Sequence, residues 1–159
     1  MQQGGKTMRT LTSILAVAAA FALLNANPAF AQHEHGSSGS EADAVRASVQ
    51  HYLQGHATGD GAHFEMVFHP ESKLFWMRDG QLNQRTSADY IAGAGGEPAA
   101  DEVQRKRRIA MVDVTGSAAV AKVELDYPGA MITDYFTLLK VDGEWKIVNK
   151  IFHVEPRGE

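Results

Sequence analysis

The sequence has no cysteine among its 159 residues. This absence excludes a disulfide-stabilised fold, a cysteine-based zinc site and a cysteine nucleophile. Positive charge is also not in excess, because 15 Lys and Arg residues stand against 19 Asp and Glu residues, for a formal net charge of −4. A mildly acidic chain has no general attraction for phosphate backbones, so we expect no nucleic-acid partner. The length fits one ordinary domain.

A phosphate-binding loop is absent as well. Gly93, Gly95 and Gly96 lie in a Gly/Ala/Pro-rich stretch, but no Gly-Lys-Ser/Thr follows them. No other cofactor motif is present, so we expect no cofactor and no resident metal. His56, Asp134 and His153 would suit a metal by ligand type, but such a site depends on their convergence in the fold.

The N-terminal 31 residues have the pattern of a secretory signal peptide. Lys6 and Arg9 give a short basic start, and residues 11–24 follow as an apolar run without charge. Ala29-Phe30-Ala31 then supplies a small-x-small cleavage site. The apolar run is too short for a membrane span, which needs roughly 20 residues. We therefore expect cleavage after Ala31, a periplasmic or secreted protein and no stable membrane insertion after cleavage.

The mature chain is predicted to start with a leader and then helices. Residues 32–40 have the Gly/Ser-rich composition of a flexible leader. Asp60 is placed to cap a second short helix, and Thr86 or Ser87 a third over 88–92. The first helix is predicted over 41–58 from a four-three-four spacing that buries one face: Val45, Val49, Tyr52 and His56.

Strands are predicted to fill the rest of the chain. A short strand over 74–77 enters a hairpin turn. Helices followed by consecutive hairpins indicate an α+β fold with helices on one face of an antiparallel sheet. The remaining strands are predicted over 105–114, 118–127, 131–141 and 144–154, with Asp142-Gly143 as a type I′ turn between the last two.

This turn sets a register for the last hairpin. It pairs Val141 with Glu144, and opposite residues share a face of the sheet. Asp134 would then lie opposite Ile151 and diagonal to His153. A buried carboxylate costs several kcal/mol unless it is paired, so the register predicts a polar pocket at this end of the sheet. The predicted inner face comprises Ile132, Asp134, Phe136, Leu138, Lys140, Trp145, Ile147, Asn149, Ile151 and His153.

Several short motifs, in this order, resemble the nuclear transport factor 2-like superfamily. Within it the chain is most similar to the SnoaL-like branch that is named putative lumazine-binding, over residues 41–155, with a tail over 156–159. The motifs are Tyr52-Leu53-x-Gly55, Gly59-Asp60, Phe68-His69-Pro70, Asp134-Tyr135-Phe136-x-Leu138-x-Lys140 and Asp142-Gly143-x-Trp145-Lys146-Ile147.

The resemblance implies a cone-shaped α+β barrel with the N-terminal helices packed in a strongly bent antiparallel sheet. It also implies one deep pocket and dimers through the convex sheet face. Relatives include isomerases, cyclases, dehydratases and pure binding modules, so the fold alone does not choose a function. The lumazine label does not transfer to this chain as a ligand.

Three functions remain open from the residues. The first is an exported protein that binds a small hydrophobic or aromatic molecule in an apolar pocket with an Asp/His/Tyr cluster. The second is a lyase, isomerase, dehydratase or cyclase that moves protons with the catalytic candidates Asp134 and His153. The third is a dimeric interaction module without a ligand. The ligand-binding candidates are Tyr52, His56, Trp76, Tyr127, Phe136 and Asn149.

Overall fold

The computed structural model describes residues 35–158, with side chains from residue 39. The predicted signal peptide and residues 32–34 of the predicted leader lie outside the described residues. Within them, no helix is long and apolar enough to cross a membrane. The helices are α1 (His35–Thr58), α2 (Gly61–Val67), α3 (Ser87–Ala92) and a 3₁₀ turn (Glu102–Gln104).

Helix α1 begins at His35, earlier than the predicted start at residue 41. The Glu41 carboxylate is held at the end of the sheet, where Lys140 Nζ (2.7 Å) and Trp145 Nε1 (2.9 Å) both donate to it. These contacts dock the N-terminal part of α1, and Gly and Ser reduce helix propensity without forbidding a helix. The composition of residues 35–40 therefore did not reveal the helix.

The shorter helices begin at the predicted caps. Asp60 Oδ1 accepts a hydrogen bond from the backbone N–H of Ala62 at 2.9 Å, and Thr86 Oγ1 accepts one from Asp89 at 3.1 Å. Each cap satisfies a backbone donor that the first turn leaves without a partner. Phe64 and Val67 of α2 are buried against α1 and the sheet.

The described strands form one curved sheet that does not close on itself, in the order β2-β1-β6-β5-β4-β3. With the helices packed against it, this architecture confirms the predicted α+β fold. One pairing differs from the expected antiparallel sheet, because β1 and β6 run parallel. The strands are β1 (Phe68–Arg78), β2 (Gln81–Thr86), β3 (Lys106–Thr115), β4 (Ala118–Tyr127), β5 (Ala130–Val141) and β6 (Glu144–Pro156).

The parallel pair has a topological reason. Chain neighbours joined by a tight hairpin must pair antiparallel, and this applies to β1–β2 and to the run from β3 to β6. Strands β1 and β6 are far apart in the sequence, so no hairpin constrains their relative direction. Leu74 of β1 consequently lies beside Lys150 of β6.

A β-bulge in β6 changes the predicted register of the last hairpin. The pairs from Val141–Glu144 to Leu138–Ile147 are as predicted, but Thr137 then pairs with Asn149 and leaves Val148 as an extra residue. A bulge moves every later residue of its strand to the opposite face.

The predicted inner face of β6 is therefore wrong beyond Ile147. Asn149, Ile151 and His153 lie on the outer face, whereas Lys150 and Phe152 face inward, opposite Phe136 and Asp134. The inward residues of β4 to β6 pack against α1, and the core includes Val45, Val49, Tyr52, Val123, Leu125, Phe136, Leu138, Trp145 and Ile147.

Candidate functional site

Five polar side chains meet beneath α1 and α3, on the inner face of the sheet. We call them the polar cluster: Tyr52, His56, Tyr90, Asp134 and Lys150. Asp134 is completely buried and Lys150 is 4% exposed. A buried charge of either sign is costly unless a partner compensates it. The burial of Asp134 and Lys150 is therefore tolerated because the two charges pair with each other.

The pairing centres on Asp134. Lys150 Nζ lies 2.9 Å from Asp134 Oδ1, and the Tyr52 hydroxyl donates to Asp134 Oδ2 at 2.7 Å. Lys150 Nζ also donates to the Tyr52 oxygen. Asp134 Oδ1 depends on the nearby ammonium alone, because no hydrogen bond of good geometry reaches it within the described residues. The three groups therefore form a closed triangle of a carboxylate, an ammonium and a phenol.

A second line of polar groups runs from this triangle towards α1. The Tyr90 oxygen lies 2.9 Å from His56 Nε2 and 3.5 Å from the Tyr52 oxygen. The His56 tautomer decides whether Tyr90 donates to the imidazole or accepts from it. The line His56–Tyr90–Tyr52–Asp134 is a continuous route by which a proton could move between the cavity and the carboxylate.

Burial sets the protonation of the cluster. It lowers the pKa of Lys150 below 10.5, although the charge of Asp134 works in the other direction. Burial, together with the positive charges of Lys150 and Arg107, lowers the pKa of His56 from 6.5 to about 3. Burial also raises the pKa of both Tyr52 and Tyr90. At neutral pH, His56 is neutral and both phenols keep their protons.

The cluster borders a cavity of about 600 Å³. This volume lies in the range of small-molecule sites. Tyr52, His56, Tyr90 and Lys150 form its polar end, and exposed Arg78, Asp79, Arg85 and His153 also line it. Trp76 and Phe152 stack with their ring centroids 5.3 Å apart. The apolar lining includes Leu74, Trp76, Leu125, Ile132 and Phe152.

Five of the predicted site residues lie at or next to this cavity. Tyr52, His56 and Trp76 line it, and His153 lines its exposed part. Asp134 is buried behind Tyr52, where the sequence predicted a paired carboxylate. Its partner is Lys150, however, and not His153.

His153 borders the cavity as an exposed residue opposite Thr133, and the bulge turns it away from Asp134. The remaining predicted site residues lie elsewhere, and Asn149 lies opposite Thr137 because of the same bulge. Phe136 is core, with its ring 4.8 Å from that of Tyr52. Tyr127 packs beneath Arg105 and accepts a hydrogen bond from Arg107 Nε at 3.0 Å. The three residues that would suit a metal by ligand type, His56, Asp134 and His153, do not form a metal-binding group within the described residues.

Sequence reasoning missed Lys150 and Tyr90. Lys150 stands between Asn149 and Ile151, and strict alternation from the turn put it on the outer face. Tyr90 lies on a six-residue helix that is too short to show a periodic pattern. Within the described residues, no group of three or more His, Cys, Asp or Glu side chains could hold a metal ion.

Comparison with known proteins identifies a family and a similar protein. The family described as "Putative lumazine-binding" matches residues 40–153. The chain is 29% identical over 120 residues to "Aldolase FrzH" of Cladobotryum sp., and the alignment covers 74% of this chain and 94% of the relative.

Solved structures with the same fold are also similar in sequence. An NTF2-like protein of unknown function from Shewanella baltica OS155 has a TM-score of 0.68 and 28% identity, covering 75% of this chain and 97% of that one. Another, from Silicibacter pomeroyi DSS-3, has a TM-score of 0.65 and 26% identity, covering 74% and 98%. The family match spans most of the chain, and its fold agrees. The chain therefore belongs to the putative lumazine-binding family of the nuclear transport factor 2-like superfamily.

Proposed function

We propose that this protein binds a small, largely apolar carbonyl compound in the cavity and acts on the carbon next to the carbonyl, as a cofactor-independent enzyme of the lyase or isomerase type. The observation that carries the proposal is the position of the polar cluster at the buried end of a cavity whose other buried walls are apolar. Apolar walls would hold the body of the ligand, and the cluster would receive its oxygen.

Two donors suit a carbonyl oxygen. An ammonium has three N–H groups, and Lys150 has two partners among the described residues: the Tyr52 oxygen through a hydrogen bond and Asp134 through an ion pair. The Tyr90 hydroxyl becomes available as a donor when His56 Nε2 carries the proton of their shared hydrogen bond. Donors fixed at the buried end stabilise the negative oxygen that develops when the neighbouring carbon gives a proton to water at the exposed side of the cavity.

The role of Asp134 differs from that predicted for it. The carboxylate lies behind Tyr52 and Lys150, so it would position these two groups and would not touch the ligand. The bulge turns His153 away from Asp134, so a proton transfer by this pair is not part of the proposal, although His153 lines the exposed part of the cavity.

The similarity to an aldolase from Cladobotryum supports this reaction class. Aldol chemistry passes through an enolate or enamine at the carbon next to a carbonyl, which is the species that the two donors would stabilise. The alignment covers nearly all of that relative, so the likeness extends beyond a short motif.

Deuterium exchange tests the proposal. The purified protein is incubated in deuterated water with acetophenone or cyclohexanone, and NMR follows exchange next to the carbonyl. Tyr90→Phe should slow enzyme-dependent exchange by about a hundredfold, in the range seen when one oxyanion donor is removed. Tyr135→Phe, which changes an exposed tyrosine on the outer face, is the matched control. The proposal fails if neither ketone raises the melting temperature and the protein accelerates no exchange.

A binding protein without turnover is the second candidate. It is favoured by the closed triangle of Tyr52, Asp134 and Lys150, in which the ammonium and the carboxylate are held together as a buried ion pair. Stabilisation by a ketone without exchange would identify this case.

We also propose that the protein is exported to the periplasm or secreted. The support is the pattern of Lys6, Arg9, the apolar run over 11–24 and Ala29-Phe30-Ala31. N-terminal sequencing of protein from the periplasmic fraction of a bacterial host should find Gln32 first. A full-length chain in the cytoplasm would contradict export.

A further inference from the structure

We propose that Lys150 is a covalent nucleophile, whose Nζ forms a Schiff base with the carbonyl carbon of the ligand. This inference rests on the proposed function, because it names the reacting group for the same carbonyl ligand. It differs from the non-covalent version, in which Lys150 only donates a hydrogen bond.

The first observation is the surroundings of the amine. Lys150 Nζ lies 4.8 Å from the ring centroids of Tyr52 and Phe152, 5.3 Å from that of Tyr90 and 6.0 Å from that of Phe136. Its neighbours are therefore mostly aromatic carbon. Removal from water disfavours the ammonium relative to the free amine, against the opposing attraction of the ring faces and of Asp134. Only the free amine attacks a carbonyl.

The second observation is that this lysine is unlike the others. Among the described lysines, Lys150 alone is buried. Lys122, Lys140 and Lys146 form ion pairs nearer the surface, and Lys73 is exposed. Lys150 also lines the cavity, so a ligand in the cavity can reach it. Burial lowers the pKa of Lys150, and each unit by which that pKa falls gives about tenfold more free amine at neutral pH.

The third observation is a proton acceptor at the amine. Asp134 Oδ1, which has no well-formed hydrogen bond from any described residue, lies 2.9 Å from Nζ and can take the first ammonium proton. Tyr90, on the cavity side, can protonate the carbonyl oxygen and recover a proton along its line to His56 and Tyr52. Attack therefore needs no group from outside the cluster.

The atoms and charges of the step balance. The ammonium gives one proton to Asp134, and the free amine forms the N–C bond while the carbonyl electron pair moves to oxygen. The nitrogen loses a second proton, the oxygen gains two, and the C–O bond breaks to release water. The product is a protonated imine with the single positive charge that the ammonium had. Asp134, ionised again, then faces the imine cation.

The imine would also explain why a carboxylate lies behind a nucleophilic lysine. A protonated imine withdraws electrons from the neighbouring carbon more strongly than a hydrogen-bonded carbonyl does, so that carbon loses a proton or a carbon substituent more easily. Asp134 stabilises the cation before and after condensation, and Asp134 is therefore a positioning residue.

Acetylacetone tests the inference directly, since a β-diketone condenses with a reactive lysine to a stable enaminone. The full protein should gain the mass of one acetylacetone less one water, and peptide mapping should place it on Lys150. Lys150→Arg keeps the positive charge opposite Asp134 but cannot form the adduct, so this variant should stay unlabelled. Lys73→Arg, at an exposed lysine, is the matched control and should label like the wild type.

Circular dichroism establishes that Lys150→Arg is folded. If it is not, Asp134→Asn/Lys150→Met replaces both charges together and should also stay unlabelled. Labelling spread over surface lysines, or equal labelling of Lys150→Arg, would overturn the inference. No adduct together with Tyr90-dependent deuterium exchange would overturn it while leaving the proposed function intact. An adduct on Lys150 without exchange would support the nucleophile and contradict turnover.

Discussion

His56 lies on the buried face of α1, with Nε2 2.9 Å from the Tyr90 oxygen and close to the positive charges of Lys150 and Arg107. Its pKa falls from 6.5 to about 3 in the folded protein. Between these two values the unfolded chain binds a proton at this residue and the folded chain does not. The free energy of unfolding therefore decreases as the pH falls through this window.

We expect His56→Gln to weaken this pH dependence. Each pH unit in the window costs the wild type up to about 1.4 kcal/mol through this one residue. The variant loses the contact with Tyr90, so it is less stable at neutral pH, but its curve should be flatter at acidic pH. Urea unfolding at a series of pH values measures the slopes. His153→Gln, at an exposed histidine, is the control, and parallel curves for the wild type and His56→Gln would contradict the expectation.

Sequence patterns predicted those site residues whose burial could be inferred from local spacing. The spacing along α1 gave Tyr52 and His56, and the high cost of burying a carboxylate singled out Asp134. The partner of Asp134 was not predictable, because it depends on a bulge at Val148. Nothing in Ile147-Val148-Asn149 marks that bulge, since neither glycine nor proline is present.

At the scale of the elements, the turn after α1 joins the helices to the loop over 93–100. Gly59 has φ of +73°, and the backbone N–H of Gly96 donates to its carbonyl oxygen at 2.9 Å. A Cβ at Gly59 would lie 2.0 Å from the Glu97 carbonyl oxygen. The turn therefore needs glycine for its backbone conformation and also for the close approach of this loop.

Gly59→Ala should be more destabilising than the conformation alone explains. Gly80, in the β1–β2 turn, has φ of +75° and open space around its position. Gly80→Ala should therefore show only the conformational cost, about 1 kcal/mol. Gly59→Ala adds a backbone clash and should exceed that cost, as measured by urea unfolding. Equal losses for the two variants would show that the loop moves aside freely.

Elements set by local chemistry were predicted well. The Asp60 cap, the Thr86 cap and the Asp142-Gly143 turn act within a few residues of chain, and the structure has all three. Strand β1 begins at Phe68, well before the predicted residue 74, because it is completed by its pairing with β6 at the other end of the chain. Sequence patterns do not report such a long-range partner.

At the scale of the whole molecule, the two sides of the described sheet differ chemically. The inner side carries the core and the polar cluster, and the outer side exposes large apolar residues across several strands. Tyr135 and Ile151 lie directly opposite each other there, 44% and 50% exposed. Met111, Val120 and Leu139 of the same side are 40–43% exposed. We therefore propose that this side is the interface of a homodimer.

A stable dimer of this kind buries about 1,600 Å² in total, and its centre is apolar with few charges. Ile151→Lys puts a charge at the middle of the outer side without touching the inner one, so it should convert a dimer to a monomer while leaving the fold intact. Analytical ultracentrifugation measures the change. Val103→Lys, at a 95% exposed residue of the 3₁₀ turn, should leave the dimer unaffected. A monomeric wild type would contradict the interface.

Since Lys150 and Ile151 are adjacent and face opposite sides, unchanged acetylacetone labelling in Ile151→Lys would show that a monomer retains the complete cavity.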